Sequence, residues 1–390
     1  MRTAFSPSQL ADPHLAEAEK NLRACVHCGI CTATCPTYVL TGDERDGPRG
    51  RIVMIQQMLE EGGAPSPETV FHVDRCLSCL ACRTACPSSV DFARLVDTAR
   101  AHIQTHHRRK AGDRLLRWLI AKGMTRPALL RLGLALAPFG RLLPGRWGAM
   151  ARIGAKARPR PEPLARGSGR RIGLMPGCVQ KVLAPEIDAA VSRVLARRGI
   201  ELVPLDGAGC CGALVHHLGR DATPFAERAV AAAQGFDEVL ITATGCSAYL
   251  KEPGHPLAPK TRDFLELVSA QGCAPRRLRI AWQAPCSLQN GVGLAERGRA
   301  LLADCGYEVL DVPEGHLCCG SAGSYSLLQP DIAAALRARK LANIASIAPD
   351  AIATANIGCL HHLSGGGIPI VHLAELVDWA DGGAAPDFVR

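Results

Sequence analysis

An α/β protein with an α-helical N-terminal part is the fold class that this 390-residue sequence predicts. Three observations carry it. Two cysteine-dense runs, "CVHCGICTATCP" and "CLSCLACRTACP", lie early in the chain and are joined by a stretch with helical periodicity. From about residue 166 onward, strand-like and helix-like segments alternate, which implies a parallel sheet. That alternation occurs twice, with cysteine markers at a fixed offset.

The two early runs share the spacing C-x2-C-x2-C-x3-C-P, as Cys25, Cys28, Cys31 and Cys35 and then Cys76, Cys79, Cys82 and Cys86. Three chemistries use cysteines this densely. Disulfide frameworks suit short secreted chains. The opening "MRTAFSPSQLADPHLAEAEK" lacks the apolar region of a secretory signal, and acidic residues follow soon. Zinc takes C-x2-C knuckles set well apart, so that four thiolates can close a tetrahedron. Here three thiolates fall within seven residues. The spacing is the ligand run of bacterial ferredoxins, in which the fourth cysteine ligates the other cluster. Two complete copies favour this reading over zinc. Crossing assigns Cys25, Cys28, Cys31 and Cys86 to one [4Fe–4S] cluster, and Cys76, Cys79, Cys82 and Cys35 to a second.

Pro36 and Pro87 end the runs, and Gly29 lets backbone N–H groups approach the sulfides. Between the runs, "GPRGRIVMIQQMLEEGG" predicts a helix with Ile52, Ile55, Met58 and Leu59 on one face and Gly62-Gly63 as its stop. A helical insert of this kind points to an α-helical dicluster ferredoxin domain over residues 1–100.

Eighteen cysteines without a signal fit a reducing cytosol and metal chemistry. No apolar run reaches the roughly 18–20 residues of a spanning helix, so the expected location is cytoplasmic or peripheral on the inner face of the cell membrane. The net charge of +9 is concentrated. Residues 101–160 carry fourteen Lys/Arg and one acid, Asp113, a local +13, so the rest of the chain sums to −4. Within them, "RRKAGDRLLRWLIAKGMTRPALLRLGLALAPFGRLLPGRW" mixes arginines with Leu, Ile and Trp at helical spacing, and Pro127, Pro138 and Pro144 are expected to break it into short helices. Three readings stand. The segment is a surface for anionic membrane through Arg108, Arg109, Arg114 and Arg117, a strap packing on its own domains, or a docking face for a partner subunit. Nucleic acid is not expected, because aromatic stacking platforms are few. The stretch "KARPRPEPLARGSGRR" reads as an inter-domain linker that ends the 101–165 division.

The second half is a duplication, divided at 166–275 and 276–390. "RRIGLMPGCV" and "LRIAWQAPCS" are strands leading to Cys178 and Cys286, each followed by an amphipathic helix. A second strand leads to Cys210-Cys211-Gly212 and to Cys318-Cys319-Gly320, and a third to Cys246 and Cys359. The offset is 108 residues both at the first cysteine and at the double cysteine. Each copy thus gathers four thiols at the carboxyl edge of a parallel sheet, where open α/β sheets bind ligands. Metal or redox chemistry is favoured over buried free cysteines. Cys273 and Cys305, outside the pattern, are read as structural. Gly207, Gly209 and Gly212 spell G-x-G-x-x-G, but the double cysteine fills its centre and the second copy has Leu317 in place of Gly209, so a nucleotide site is not expected.

The joined motifs "CVHCGICTATCPTYVLTGDERDGPRGRI" and "CLSCLACRTACPS", with "CCGALVHHLG", "TATGCSAYLKEPGH" and "ANIGCLHHL", resemble the glycolate oxidase iron–sulfur subunit family. More broadly they resemble the cysteine-rich subunits of heterodisulfide reductase and anaerobic glycerol-3-phosphate dehydrogenase. The resemblance runs from about residue 20 to the C-terminus. It implies a helical dicluster ferredoxin domain followed by two CCG (cysteine-rich) domains, acting as an electron-transfer subunit. Its partners would be flavoprotein subunits that carry FAD and oxidise glycolate to glyoxylate, and its acceptor a quinone. The alternatives are the same subunit in a lactate or glycerol-3-phosphate dehydrogenase, or a thiol–disulfide enzyme like heterodisulfide reductase. A zinc-bound structural adaptor is the plainest reading. In the heterodisulfide reductase relatives each repeat closes with C-x-x-C, whereas here Tyr249 and His362 hold the last position. That argues against a large non-cubane cluster and leaves four thiolates per repeat for an ordinary one, with His362 able to replace a thiolate. His216, His217, His316 and His361 are read as outer hydrogen-bond donors or ordinary core residues.

Overall fold

The computed structural model describes residues 1–140 and 161–389. The expected break at Pro144 and the basic residues between 141 and 160 lie outside that range. Prolines open the N-terminal helices, where a missing N–H costs nothing. Pro13–Ala24, Pro36–Thr41, Pro48–Glu61 and Pro67–Asp74 each begin on one. The insert helix forms as its periodicity requires. Pro48–Glu61 buries Ile52, Ile55, Met58 and Leu59 and stops at Gly62, whose φ of 67° suits glycine. Those side chains meet Leu22, Val73, Leu95, Val96 and Ile103 in a helical core that Phe92–His106 completes.

The basic segment is helical, but its prolines act differently from the expectation. Ala111–Leu119 passes through a wide π-type turn at Ile120–Met124, and Pro127 opens the next helix, Pro127–Gly140. Pro138 lies inside that helix near its end, where it forfeits a single hydrogen bond and does not divide it. Leu116, Ile120 and Ala121 pack against Val215, Leu218, Leu327 and Leu328, so the segment touches both later repeats. Arg109 and Arg117 face inward. Arg109 pairs with Asp74 at 2.5 Å, Arg117 with Asp74 at 2.9 Å, and both with Asp113. The expected surface role of these two arginines is therefore corrected, because desolvated ion pairs hold them in place. Arg108 and Arg114 are exposed. No helix among the described residues is long and apolar enough to cross a membrane.

Each later half forms a four-stranded, all-parallel sheet. In the first, β1 (Arg170–Leu174) lies between β2 (Ile200–Pro204) and β3 (Val239–Ile241), with β4 (Thr261–Asp263) outside β3. The second repeats the order with β5 (Arg279–Trp282) between β6 (Glu308–Asp311) and β7 (Ala351–Thr354), and β8 (Ile370–His372) at the edge. Sequence reading found three strands per copy and missed β4 and β8, each only three residues long. Each runs straight into a helix through a capping box, Asp263 with Glu266 and His372 with Glu375.

The two sheets share one core. Ile172, Leu202 and Leu240 of the first copy join Ile280, Trp282, Leu301, Val377 and Trp379 of the second. Helix Glu186–Ala196 lies on helix Leu373–Ala380, and buried Asp378 binds Arg193 at 2.8 Å and Arg197 at 2.7 Å across that contact. The copies are therefore a fused pair, with their cysteine-bearing strand ends fixed relative to one another.

Candidate metal centres

Cys25, Cys28, Cys31 and Cys86 line one cavity of the N-terminal domain, and Cys35, Cys76, Cys79 and Cys82 line a second. The cavities adjoin, because Cys82, Pro48 and Phe92 stand in the walls of both. The fold thus brings Cys86 to the first run and Cys35 to the second. Both runs coil in the same way. After Cys25, His27 and Gly29 take left-handed φ values of 57° and 80°; after Cys76, Ser78 and Leu80 take 52° and 59°. This conformation turns successive N–H groups to one side, as an anion-binding nest does. The Ser78 N–H reaches Cys76 Sγ at 3.4 Å, and the Val90 N–H reaches Cys86 Sγ at 3.5 Å. Leu80 occupies the position that Gly29 fills in the first run, at a backbone cost of about 1–2 kcal/mol.

Four thiols on one cavity cannot all ionise unless a cation shares their charge. Burial, then the charges of Cys25, Cys86 and Cys28, pushes the Cys31 thiol up to about 11. Burial also raises Cys79 and Cys82 well above the usual thiol value. Raised thiols facing one another, with N–H groups aimed at sulfur, fit a multi-iron cluster that supplies the missing positive charge.

Charged residues that sequence reading missed surround the second cavity. Arg51, 1% exposed, donates to Cys35 Sγ at 3.8 Å, to the Thr37 hydroxyl at 3.2 Å and to the His72 carbonyl at 2.8 Å. Burial opposes its charge, while Cys76, Cys35 and Asp46 sustain it, and Asp46 lies 3.5 Å away. Arg100 donates to the Cys76 carbonyl and the Ser78 hydroxyl at 2.6 Å each. A signal existed in "GDERDGPRGR", a density of charge unusual between two apolar cysteine runs.

The repeat cysteines gather as two sets. Cys178 and Cys210 stand 3.3 Å apart, with Cys211 and Cys246 beside them. Cys286 and Cys318 are 3.7 Å apart, and Cys319 and Cys359 3.2 Å. In each, the glycine after the pair donates its N–H to the pair's first sulfur, Gly212 to Cys210 at 3.4 Å and Gly320 to Cys318 at 3.5 Å. Hydrogen bonds from Cys178 and Cys211 hold the Cys210 thiol below its usual value. The second set has a buried cation instead. Lys340, 2% exposed, stands near Cys319, Cys318 and Cys359. That set also abuts the second cavity, since Cys79, Cys286 and Cys318 share an apolar cluster with Leu77 and Tyr325.

The histidines divide. His362 turns Nε2 to the Ala333 carbonyl at 3.2 Å, and Tyr249 fills the matching position in the first copy, its ring 5.0 Å from that of His216. His216 and His217 reach Asp97 of the N-terminal domain at 3.1 and 3.3 Å. His316 is exposed, so it is not a core residue, and His361 is half-buried. Cys305 packs in the core, whereas Cys273, expected to be structural too, is exposed.

A family described as a 4Fe-4S dicluster domain matches residues 24–90, and one described as a cysteine-rich domain matches 172–251 and 280–364. The chain is 40% identical to a protein of Escherichia coli (strain K12) named glycolate oxidase iron-sulfur subunit, over 97% of this chain and 99% of that one. It is 27% identical to a Bacillus subtilis (strain 168) protein named probable glycolate oxidase iron-sulfur subunit, over 92% and 94% of the two chains. It is 24% identical to a protein of Methanothermobacter marburgensis whose name makes it part of a fumarate reductase (CoM/CoB), over 95% and 75%.

Proposed function

The chain belongs to the glycolate oxidase iron–sulfur subunit family, and we infer from that membership that it carries electrons and leaves substrate chemistry to its partners. It is the iron–sulfur, electron-transfer subunit of a glycolate dehydrogenase. Glycolate is oxidised to glyoxylate on flavoprotein subunits, because hydride chemistry needs a flavin or nicotinamide. Cys25, Cys28, Cys31 and Cys86 would hold one [4Fe–4S] cluster, and Cys76, Cys79, Cys82 and Cys35 the other. Such clusters accept and release single electrons. Cys178, Cys210, Cys211 and Cys246, with Cys286, Cys318, Cys319 and Cys359, would hold further iron or act as redox thiols.

The observation that supports this reading most is the contiguity of three thiol sets. They run from exposed Cys28, through the second cavity, to Cys286 and Cys318. Entry is at the Cys28 end, where exposed Val26 and Ile30 offer apolar surface to a flavoprotein subunit. A quinone-type acceptor takes the electrons. Peripheral contact with the inner face of the cell membrane is supported by exposed Leu115, Trp118, Leu129, Leu132 and Leu136 among exposed Arg108, Lys110, Arg114, Arg126 and Arg131.

Reconstitution tests the reading. The purified chain should not turn over glycolate, and adding its flavoprotein subunits should restore reduction of a quinone or dye. Glycolate turnover by the isolated chain would overturn the division of labour.

A further inference from the structure

Outside the cysteine sites, one constellation joins two domains. Asp97 on helix Phe92–His106 faces His216 and His217, which lie at the end of the short helix Ala213–His216 in the first repeat. His216 Nε2 is 3.1 Å from one Asp97 oxygen, and His217 Nδ1 is 3.3 Å from the other. Ligand atoms of all three residues lie within 4.8 Å of one another. Four ligands at about 2.0–2.1 Å from a tetrahedral ion are separated by about 3.3–3.4 Å. The spacing therefore serves a coordination polyhedron as well as hydrogen bonds.

Arg100, 4.0 Å from Asp97, has guanidinium nitrogens engaged by Ser78 and the Cys76 carbonyl. The frame around the pocket is tight. A Cβ at Gly219, where φ is 75°, would fall 2.2 Å from the Arg100 carbonyl, and Arg94 donates to the Pro253 carbonyl.

We propose that Asp97, His216 and His217 bind a borderline divalent transition ion, zinc above all, that pins the N-terminal domain to the first repeat. Two imidazoles and a carboxylate suit such an ion. Iron–sulfur clusters instead require thiolates, so this site is chemically separate from the cysteine centres. Zinc has no redox chemistry, so such a site takes no electrons.

The test uses untagged holoprotein, purified without oxygen and dialysed against zinc. Metal content counts zinc beside iron, and zinc K-edge X-ray absorption reads the ligands. One zinc per chain with a nitrogen and oxygen shell is expected. That equivalent should be lost in Asp97→Asn and in His216→Ala/His217→Ala, with iron unchanged, and kept in His255→Ala. Absence of bound zinc, a sulfur shell indicating the cysteine sites, or retention by the variants would each overturn the proposal. Should a variant lose its iron and so its fold, the wild-type absorption spectrum decides alone.

Discussion

Asn290 of the second repeat donates its side-chain amide to the carbonyl of Cys79 in the N-terminal domain at 2.9 Å, and its own carbonyl oxygen accepts from Thr84 at 2.7 Å. This pair holds the second cavity against Cys286 and Cys318. Asn290→Ala removes both bonds, each contributing about 0.5–1.5 kcal/mol. Iron content should be unchanged, while rapid-mixing reduction of sites beyond Cys79 slows. Unaltered kinetics would make the contact purely structural.

Cys86→Ser should remove about four iron atoms and disturb the cluster associated with Cys25, Cys28 and Cys31. Purified anaerobically, the wild type should be brown and hold at least about eight iron and eight sulfide. Paramagnetic resonance of the serine variant should retain the signal of the buried cluster near Arg51. Loss of that signal instead would assign Cys86 to its sequence neighbours and end the crossed scheme.

Arg51→Met takes a donor from the His72 carbonyl and the Thr37 hydroxyl, while Asp46 keeps Arg75 and His72, which should cost about 1–3 kcal/mol in unfolding. It also withdraws a positive charge from beside Cys35, so the reduction potential of the cluster there should fall, read by redox titration. Arg51→Lys should not restore the wild-type value, because an ammonium cannot reach Cys35, Thr37 and the His72 carbonyl together.

Asp263 and His372 cap equivalent helices in the two copies yet respond to acid in opposite directions. Burial holds His372 down to about 4, so its stabilising contribution is complete above about 6.5 and is lost as pH falls toward 4, by about 2 kcal/mol at pH 5. Burial raises Asp263 to about 6, so its contribution is complete below about 3.8 and is lost as pH rises through 6. Thermal melts at pH 5 and 7.5 should show Asp263→Asn gaining at the higher pH and His372→Asn losing acid sensitivity. Equal slopes in both variants and the wild type would contradict these assignments.

Binding to anionic vesicles should weaken with salt, because attraction is screened over roughly 8–10 Å near physiological ionic strength. Replacing exposed Arg108, Arg114, Arg126 and Arg131 with glutamine should release the chain with its clusters intact. Replacing Arg109 and Arg117 should instead destabilise it, as both are bound to Asp74. Salt-insensitive binding, or loss of complex assembly in place of release, would reassign the face to a contact between subunits.

What could be read from the sequence was what local spacing controls. The cysteine runs, the Ile52–Leu59 face and the 108-residue offset depend on near neighbours, and the helices and first three strands of each copy followed. What escaped depends on distant partners. Arg51 looks like a surface residue until Thr37, His72 and Cys35 close round it, and Arg109 and Arg117 look solvated until Asp74 arrives from another helix. β4 and β8 are too short for a period of two to register, although their Asp-x-x-Glu and His-x-x-Glu boxes were present.

The strap formed by Leu116, Ile120 and Ala121 rests on Val215 and Leu218 of one repeat and on Leu327 and Leu328 of the other. Together with the Tyr325 hydroxyl on the Arg75 carbonyl at 2.9 Å, it ties the N-terminal domain to both repeats. A carrier that swings between docking stations would slow as the solvent thickens, because each cycle would wait on diffusion of a tethered body. The contacts among the described residues oppose such a stroke. The chain's throughput should be indifferent to glycerol or sucrose once its partners are docked, as in a fixed conductor whose length was set when it folded.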